Sequence, residues 1–383
     1  MKYYLAPMEG ITGFVFRNAY HEYFEPMDKY FAPFISPNQN ICFTPREYRD
    51  ICPENNRIAH VVPQILTNKA EDFIKTSQEL ARMGYEEVNL NLGCPSGTVT
   101  AKRKGAGFLM EPERLREFFD RIFENPCVRI SVKTRLGMYL TDEFLQLLAI
   151  FNEYPLTELI IHPRVGKEFY DGVPHRDVYL GAVGKSKNPL CYNGDLYCEK
   201  DVRELLGECS RAECEAGLVE GFADGHVGEC GLAGCRLRTQ AEDTAGGCTQ
   251  ECRAAEEQKM RIFPGGMTVA LMFGRGILRD PWLVAKCRDM EKGLDFSSGI
   301  KQPSAKCRYL DAAHILEFSD RLFSDYAQYM GEHNAMFRMK ELWLYLVESF
   351  AETDANRKKL KKAQNKAELD AVLKGLRTTR QTI

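Results

Sequence analysis

The chain has 383 residues, a net charge of −3 and an apolar share of 44%. That length holds one large domain and a smaller one, with the composition of a globular protein. The small net charge excludes a global nucleic-acid signature, so any basic surface must be local.

The start, Met-Lys-Tyr-Tyr-Leu-Ala-Pro, lacks the apolar run of a signal peptide. No stretch approaches the roughly 20 apolar residues that span a membrane. A cytoplasmic location is expected. Of 14 cysteines, six (Cys209, Cys214, Cys230, Cys235, Cys248, Cys252) fall between 207 and 258. The others are scattered through apolar surroundings, as small core hydrophobes are.

Short apolar runs alternate with amphipathic helical stretches, the pattern of a parallel α/β domain. Eight strands are predicted: Tyr3–Met8, Tyr30–Ile35, His60–Leu66, Glu87–Leu92, Arg129–Lys133, Glu158–His162, Pro189–Asn193 and Val269–Phe273. Helical stretches between them include Lys69–Met83, Pro112–Phe123 and Asp142–Asn152. Eight such units predict a (β/α)8 TIM barrel.

Polar groups recur where these strands stop. They are Pro7-Met8-Glu9, Gln64, Asn91 with Cys94, Lys133 with Arg135, His162 with Arg164, Asn193-Gly194-Asp195 and Gly274-Arg275. In a barrel all C-terminal strand ends share one face, where active sites are built.

The stretch 207–258 is rich in Gly, Ala, Cys and Glu and has no sustained period. It is expected to be a poorly ordered insertion after a helix Glu199–Leu206. Its cysteine spacings do not match zinc sites closely, so no metal is expected. From about 310 onward the pattern is helical, with Ala312–Tyr329, Asn334–Phe350 and a lysine-rich Asp354–Lys374. The last thirty residues carry nine Lys or Arg against three acids. Such a run fits a solvated helix face or a phosphate contact.

Cys94 lies in the loop after a predicted strand. A thiol with an ordinary pKa near ~8.5 is mostly protonated at neutral pH, so it can give a proton or act as a nucleophile. No His or Asp lies nearby in sequence to mark a thiolate; a partner from another strand stays open. Alone, Gly93-Cys94-Pro95 also fits a buried structural cysteine. Gly274-Arg275-Gly276 after the last strand fits a phosphate site, where glycine lets the backbone approach closely. Lys133 closes a strand and can stabilise negative charge on a reduced ring. Asn91 offers both a donor and an acceptor.

Taken together, the segments resemble the tRNA-dihydrouridine synthases. The resemblance rests on Ala6-Pro7-Met8-Glu9-Gly10, Gln64, Asn89-Leu90-Asn91-Leu92-Gly93-Cys94-Pro95, Gly105-Ala106-Gly107, Val132-Lys133-Thr134-Arg135-Leu136-Gly137, His162-Pro163-Arg164, Asn193-Gly194-Asp195 and Gly274-Arg275-Gly276, in that order. It implies an FMN-binding TIM barrel over 1–306 and a helical tRNA-binding domain over 307–383. It implies reduction of the C5–C6 double bond of particular uridines in tRNA, with NADPH recharging the flavin. Cys94 would protonate C5. Pro7, Met8, Glu9, Gln64, Lys133, His162, Asn193, Gly194, Asp195, Gly274 and Arg275 would hold the flavin. Asn91 and Arg135 would contact the uracil or flavin. No stable protein partner is implied, and a monomer is expected.

Two features depart from the family pattern. Val165 stands where a threonine is commoner, and Pro163 where a small residue is. Asn193 and Gly274 lie 81 positions apart, much further than is usual. Two rival readings are a flavin barrel acting on a small pyrimidine-like molecule and a tRNA-binding barrel that has lost turnover. The helical domain with its basic tail speaks against the first. The intact Cys94, Lys133 and Arg275 speak against the second.

Overall fold

The computed structural model describes residues 1–221, 269–292, 312–350 and 353–378. Its strands are β1 (Lys2–Leu5), β2 (Lys29–Phe31), β3 (Val61–Val62), β4 (Gln64–Ile65), β5 (Glu87–Leu92), β6 (Arg129–Arg135), β7 (Leu159–His162), β8 (Leu190–Tyr192) and β9 (Ala270–Phe273). They form one sheet in the order β3-β2-β1-β9-β8-β7-β6-β5-β4. Every pairing is parallel.

β3 and β4 are two halves of one run, interrupted at Pro63, which has no N–H for the ladder. The Pro63 carbonyl still accepts from the Asn89 N–H at 2.9 Å. β3 pairs with β2 and β4 with β5, so the two ends of the sheet meet at Pro63. The result is the expected eight-stranded barrel. β5 is buried at every position, as a parallel strand covered on both faces requires.

The barrel interior is divided. Tyr4, Ala6, Phe31, Val62, Ile160, Cys191, Ala270 and Met272 form an apolar cluster on one side. The opposite side is polar: Gln64 registers with Asn89, Asn89 with Ser131, and Asn91 with Lys133. Polar side chains survive there only because they bond one another. The surrounding helices bury one face each. Pro112–Phe123 opens with proline and buries Leu115, Phe118, Phe119 and Ile122, the three-and-four spacing of an amphipathic helix.

The helix expected over Glu199–Leu206 runs on to Gly221. Good helix formers in Arg211-Ala212-Glu213 carry it into the segment expected to lose order. The rest of that expectation, 222–258 with Cys230, Cys235, Cys248 and Cys252, lies outside the described residues.

After the barrel come Ala312–Met330, Glu332–Leu346, Thr353–Lys362 and Lys366–Thr378. The lysine-rich stretch read as one segment is thus two helices. Trp343 is fully buried and donates to Ser319 Oγ at 2.8 Å. Phe318 packs on Phe16 and Phe24 at centroid distances of 6.0 and 4.9 Å. Tyr326 reaches the Ile11 carbonyl at 3.4 Å, and Arg279 pairs with Glu348 at 2.9 Å. These contacts seat the helical part beside the C-terminal end of the barrel. Among the described residues no helix is long and apolar enough to cross a membrane.

Candidate active site

The C-terminal strand ends gather Cys94, Lys133, Arg135, His162, Arg164, Asp195 and Arg275. The Cys94 loop is held from three sides. Asn91 Oδ1 accepts from the Gly93 and Cys94 N–H groups at 3.0 and 2.9 Å. Arg135 Nε donates to the Gly93 carbonyl at 3.0 Å. The Cys94 carbonyl accepts from Ala106 N–H at 3.0 Å. Gly105 makes this approach possible: its φ is +56°, and a Cβ there would lie 2.6 Å from the Cys94 oxygen. The Gly105-Ala106-Gly107 segment is therefore a seat for the thiol loop.

Burial pushes the Cys94 thiol up. A backbone hydrogen bond from Ser96 and the charges of Arg135 and Lys133 oppose that rise without cancelling it. The thiol is therefore protonated at neutral pH. A protonated, half-buried thiol suits a proton donor better than a nucleophile.

Lys133 Nζ makes no hydrogen bond or ion pair with a described residue. Burial first, and the charge of Arg135 second, lower its pKa to about 8. His162 is buried. Burial, reinforced by Arg135, Lys133, Arg164 and Arg275, holds its pKa well below the usual histidine range. Four cations thus surround the mouth. Among the described residues Asp195 is the carboxylate that pairs with two of them, taking Arg164 at 2.6 Å and Arg275 at 2.9 Å. Burial works against the charged form of Asp195, but the hydrogen bond and charge of Arg164 and the charge of Arg275 outweigh it and keep the carboxyl low.

The other residues expected at the site also make contacts within the protein. Glu9 is exposed and pairs with Arg46 at 2.7 Å, turned toward a groove that Tyr326, Tyr329 and Arg338 also line. Gln64 is buried and committed, accepting from Asn91 Nδ2 and donating to Asn89 Oδ1, both at 2.7 Å. Asn193 Nδ2 donates to the Met272 carbonyl at 2.8 Å, tying β8 to β9. Arg135 is 1% exposed, and besides Gly93 it grips the Val165 and Phe169 carbonyls at 2.9 and 2.6 Å. Asn91 is spent on the Cys94 loop. Gln64, Asn91, Arg135, Asn193 and Asp195 therefore support the site with their side chains. Their amides, guanidinium and carboxylate satisfy buried protein groups first.

Pro7 and Met8 lie half-buried at the end of β1, where Met8 N–H donates to Thr12 Oγ1 at 2.8 Å. Gly194 follows β8. Gly274 starts the short helix Arg275–Arg279. Gly276 in that helix faces the Leu196 carbonyl so closely that a Cβ there would collide with it. Residues other than glycine would push the helix off the mouth.

Sequence reasoning gave no role to Tyr170. Its ring lies 5.4 Å from the Arg135 guanidinium, 5.0 Å from that of Arg275 and 6.0 Å from the His162 ring. It sits in the loop after β7, eight positions past His162, where no strand end marks it. Arg164 was visible only as part of the His162-Pro163-Arg164 strand end.

Comparison with known proteins points the same way. The dihydrouridine synthase family model matches residues 4–212. A "Probable tRNA-dihydrouridine synthase" from Staphylococcus aureus (strain COL) is 34% identical over 209 residues, covering 52% of this chain and 62% of that protein. One of the same name from Staphylococcus epidermidis (strain ATCC 12228 / FDA PCI 1200) is 34% identical over 200 residues, covering 52% of this chain and 60% of that protein. "Probable tRNA-dihydrouridine synthase 2" from Bacillus subtilis (strain 168) is 30% identical over 166 residues, covering 43% and 50%. The chain thus aligns with less than two thirds of each relative. The matched span takes in the β1 end, the Cys94 loop, Lys133, the His162 strand end and Asn193-Gly194-Asp195, so the chain belongs to the dihydrouridine synthase family.

Proposed function

We propose that this chain is an FMN-dependent tRNA-dihydrouridine synthase, with Cys94 as the acid. One observation carries the reading. A protonated thiol and an ammonium with no partner among the described residues, Cys94 and Lys133, end neighbouring strands at one mouth.

The residues present fit a flavin mononucleotide. The mouth holds a marked excess of positive charge, which suits a phosphate and an electron-rich ring. Lys133 would face the ring. Arg275, with the backbone at Gly274, would take the phosphate. Pro7, Met8, Gly194 and His162 would complete the cradle. When bound, FMN supplies the hydride for C6 of the uracil and is recharged by NADPH.

Charge builds at C5 and O4 as hydride arrives, and Cys94 Sγ–H delivers its proton to C5. Hydride and proton together saturate the C5–C6 bond. Asn91, Arg135 and Gly105 hold the thiol loop fixed for that transfer. A uridine must leave its stack to enter such a mouth, so an unstacked loop position is the target.

Cations without ion pairs, all exposed except the half-buried Lys104, favour an RNA substrate over a free pyrimidine. Lys102 and Lys104 flank the Cys94 loop, and Lys358, Lys359, Lys361 and Lys362 lie on the helix Thr353–Lys362. None of the six forms an ion pair with a described residue. Such groups bind a phosphate backbone by releasing counterions.

The test uses purified protein loaded with FMN. NADPH should bleach the flavin band, and unmodified tRNA should restore it while dihydrouridine appears. Bleaching followed by recovery with oxygen alone, and no dihydrouridine, would reject the reading.

A further inference from the structure

We propose that Arg164 is a positioning residue that locks His162 as a neutral imidazole with its proton on Nδ1, so that the ring offers the cofactor a fixed hydrogen-bond donor and cannot act as the acid.

A guanidinium has five N–H donors and no acceptor. All five of Arg164's are placed. Nε donates to the Asp171 carbonyl at 3.0 Å. Nη2 donates to the Gly172 carbonyl at 2.7 Å and to Asp195 Oδ2 at 2.6 Å. Nη1 faces Asp195 Oδ1 and His162 Nε2, both at 3.2 Å. The side chain is fully buried. It cannot swing away without leaving two carbonyls and a carboxylate unpaired.

This fixes the histidine. Arg164 can only donate, so His162 Nε2 must accept. A neutral ring then carries its proton on Nδ1. Protonating Nε2 as well would set two donors face to face, and the other charged groups facing the ring oppose it too. Lys133 and Arg135 stand on β6, and Arg275 on the helix after β9. Asp195, after β8, is already taken up by Arg164 and Arg275. The Tyr170 ring covers one side. Nδ1–H has no protein partner among the described residues. It is the ring's free donor at the barrel mouth.

A neutral imidazole N–H is a far weaker acid than a thiol. The arrangement therefore leaves Cys94 as the proton source and gives His162 the task of orienting an acceptor atom. That this acceptor belongs to the flavin rests on the function proposed above; the tautomer does not.

The test is a long-range 1H–15N correlation spectrum of the 15N-labelled full chain, freed of flavin, from pH 5 to 8. His162 is assigned by its loss in His162→Gln. The Nδ1-protonated pattern should persist throughout, with no titration near the ordinary value of about 6.5. An Nε2-protonated ring, or an imidazolium at pH 6, would overturn the proposal. Arg164→Met should release the ring to a mixture of tautomers that titrates toward about 6.5. Arg164→Lys, which keeps the charge, should retain part of the lock. Should either variant fail to fold, the wild-type series decides alone. Adding FMN should shift the His162 Nδ1–H resonance in the wild type. FMN should also bind roughly tenfold more weakly to Arg164→Met, about the loss of one hydrogen bond. A locked tautomer with no FMN binding would sink the flavin reading and leave the lock standing.

Discussion

Lys133→Met should stabilise the flavin-free protein while weakening its grip on flavin. The wild-type ammonium is largely buried with no carboxylate partner among the described residues, and its pKa falls from 10.5 to about 8. At about 1.4 kcal/mol for each tenfold change, holding that charge costs the fold on the order of 3 kcal/mol. Methionine fills a similar volume without the charge. The gain has a defined pH window. Between about pH 8 and 10.5 the unfolded lysine holds its proton while the folded one has lost it. Wild-type stability therefore rises with pH through that window. The variant's advantage should be full below about pH 8 and close to zero near pH 10.5. Urea melts of both flavin-free proteins at pH 7 and pH 10 measure it. FMN should then narrow that lead, binding the variant roughly ten- to hundredfold more weakly, as loss of a charged partner does. A variant less stable than wild type at pH 7, or one whose advantage ignores pH, would refute the reasoning.

Asn91→Leu should keep FMN but lower turnover about a hundredfold or more, because the Gly93 and Cys94 N–H groups lose their acceptor and the thiol loop drifts; single-turnover reoxidation by tRNA reports it. Equal turnover would show that Asn91 does not hold the loop. Gly105→Ala places a Cβ 2.6 Å from the Cys94 carbonyl at a φ of +56°. It should destabilise the protein by roughly 1–3 kcal/mol and cut turnover more than FMN binding, as thermal melts and FMN titration can check. Lys102→Gln with Lys104→Gln should weaken tRNA binding and make its salt dependence shallower by about one unit per phosphate contact. Flavin reduction by NADPH should be unchanged, and an unaltered salt slope would remove these lysines from the RNA surface.

Much of the fold was legible because barrel strands are short, apolar and followed by polar punctuation. Each predicted strand run has its counterpart, and even Pro63 only splits one run in two. The gathering of Cys94, Lys133, His162 and Arg275 could be read from strand ends alone, since topology brings those ends together. What could not be read was the division of labour. Gln64, Asn91, Arg135 and Asp195 stand where ligand contacts were expected, and their side chains also bond protein groups. Whether an amide faces a ligand or a neighbouring strand depends on register, and β4 to β6 put Gln64, Asn89 and Asn91 within reach of one another. Glu9 lies one position past the half-buried Met8 and turns outward to Arg46. Tyr170 carried no signal because loop conformation, not strand periodicity, places it. The helix Glu199–Gly221 outran its expected end because composition hid good helix formers among the glycines and cysteines.

The proposed role of Cys94 is to protonate a tRNA uracil reduced in this barrel. It is tested most directly by mapping dihydrouridine in the tRNA of cells that carry the wild-type chain, the Cys94→Ala chain or neither. Dihydrouridine at the sites served by this chain should appear with the wild type and be nearly absent with Cys94→Ala. The purified variant should still bind FMN and accept hydride from NADPH. Near-normal dihydrouridine with Cys94→Ala would contradict the role of the thiol, and tRNA identical with and without the wild-type chain would contradict the activity itself.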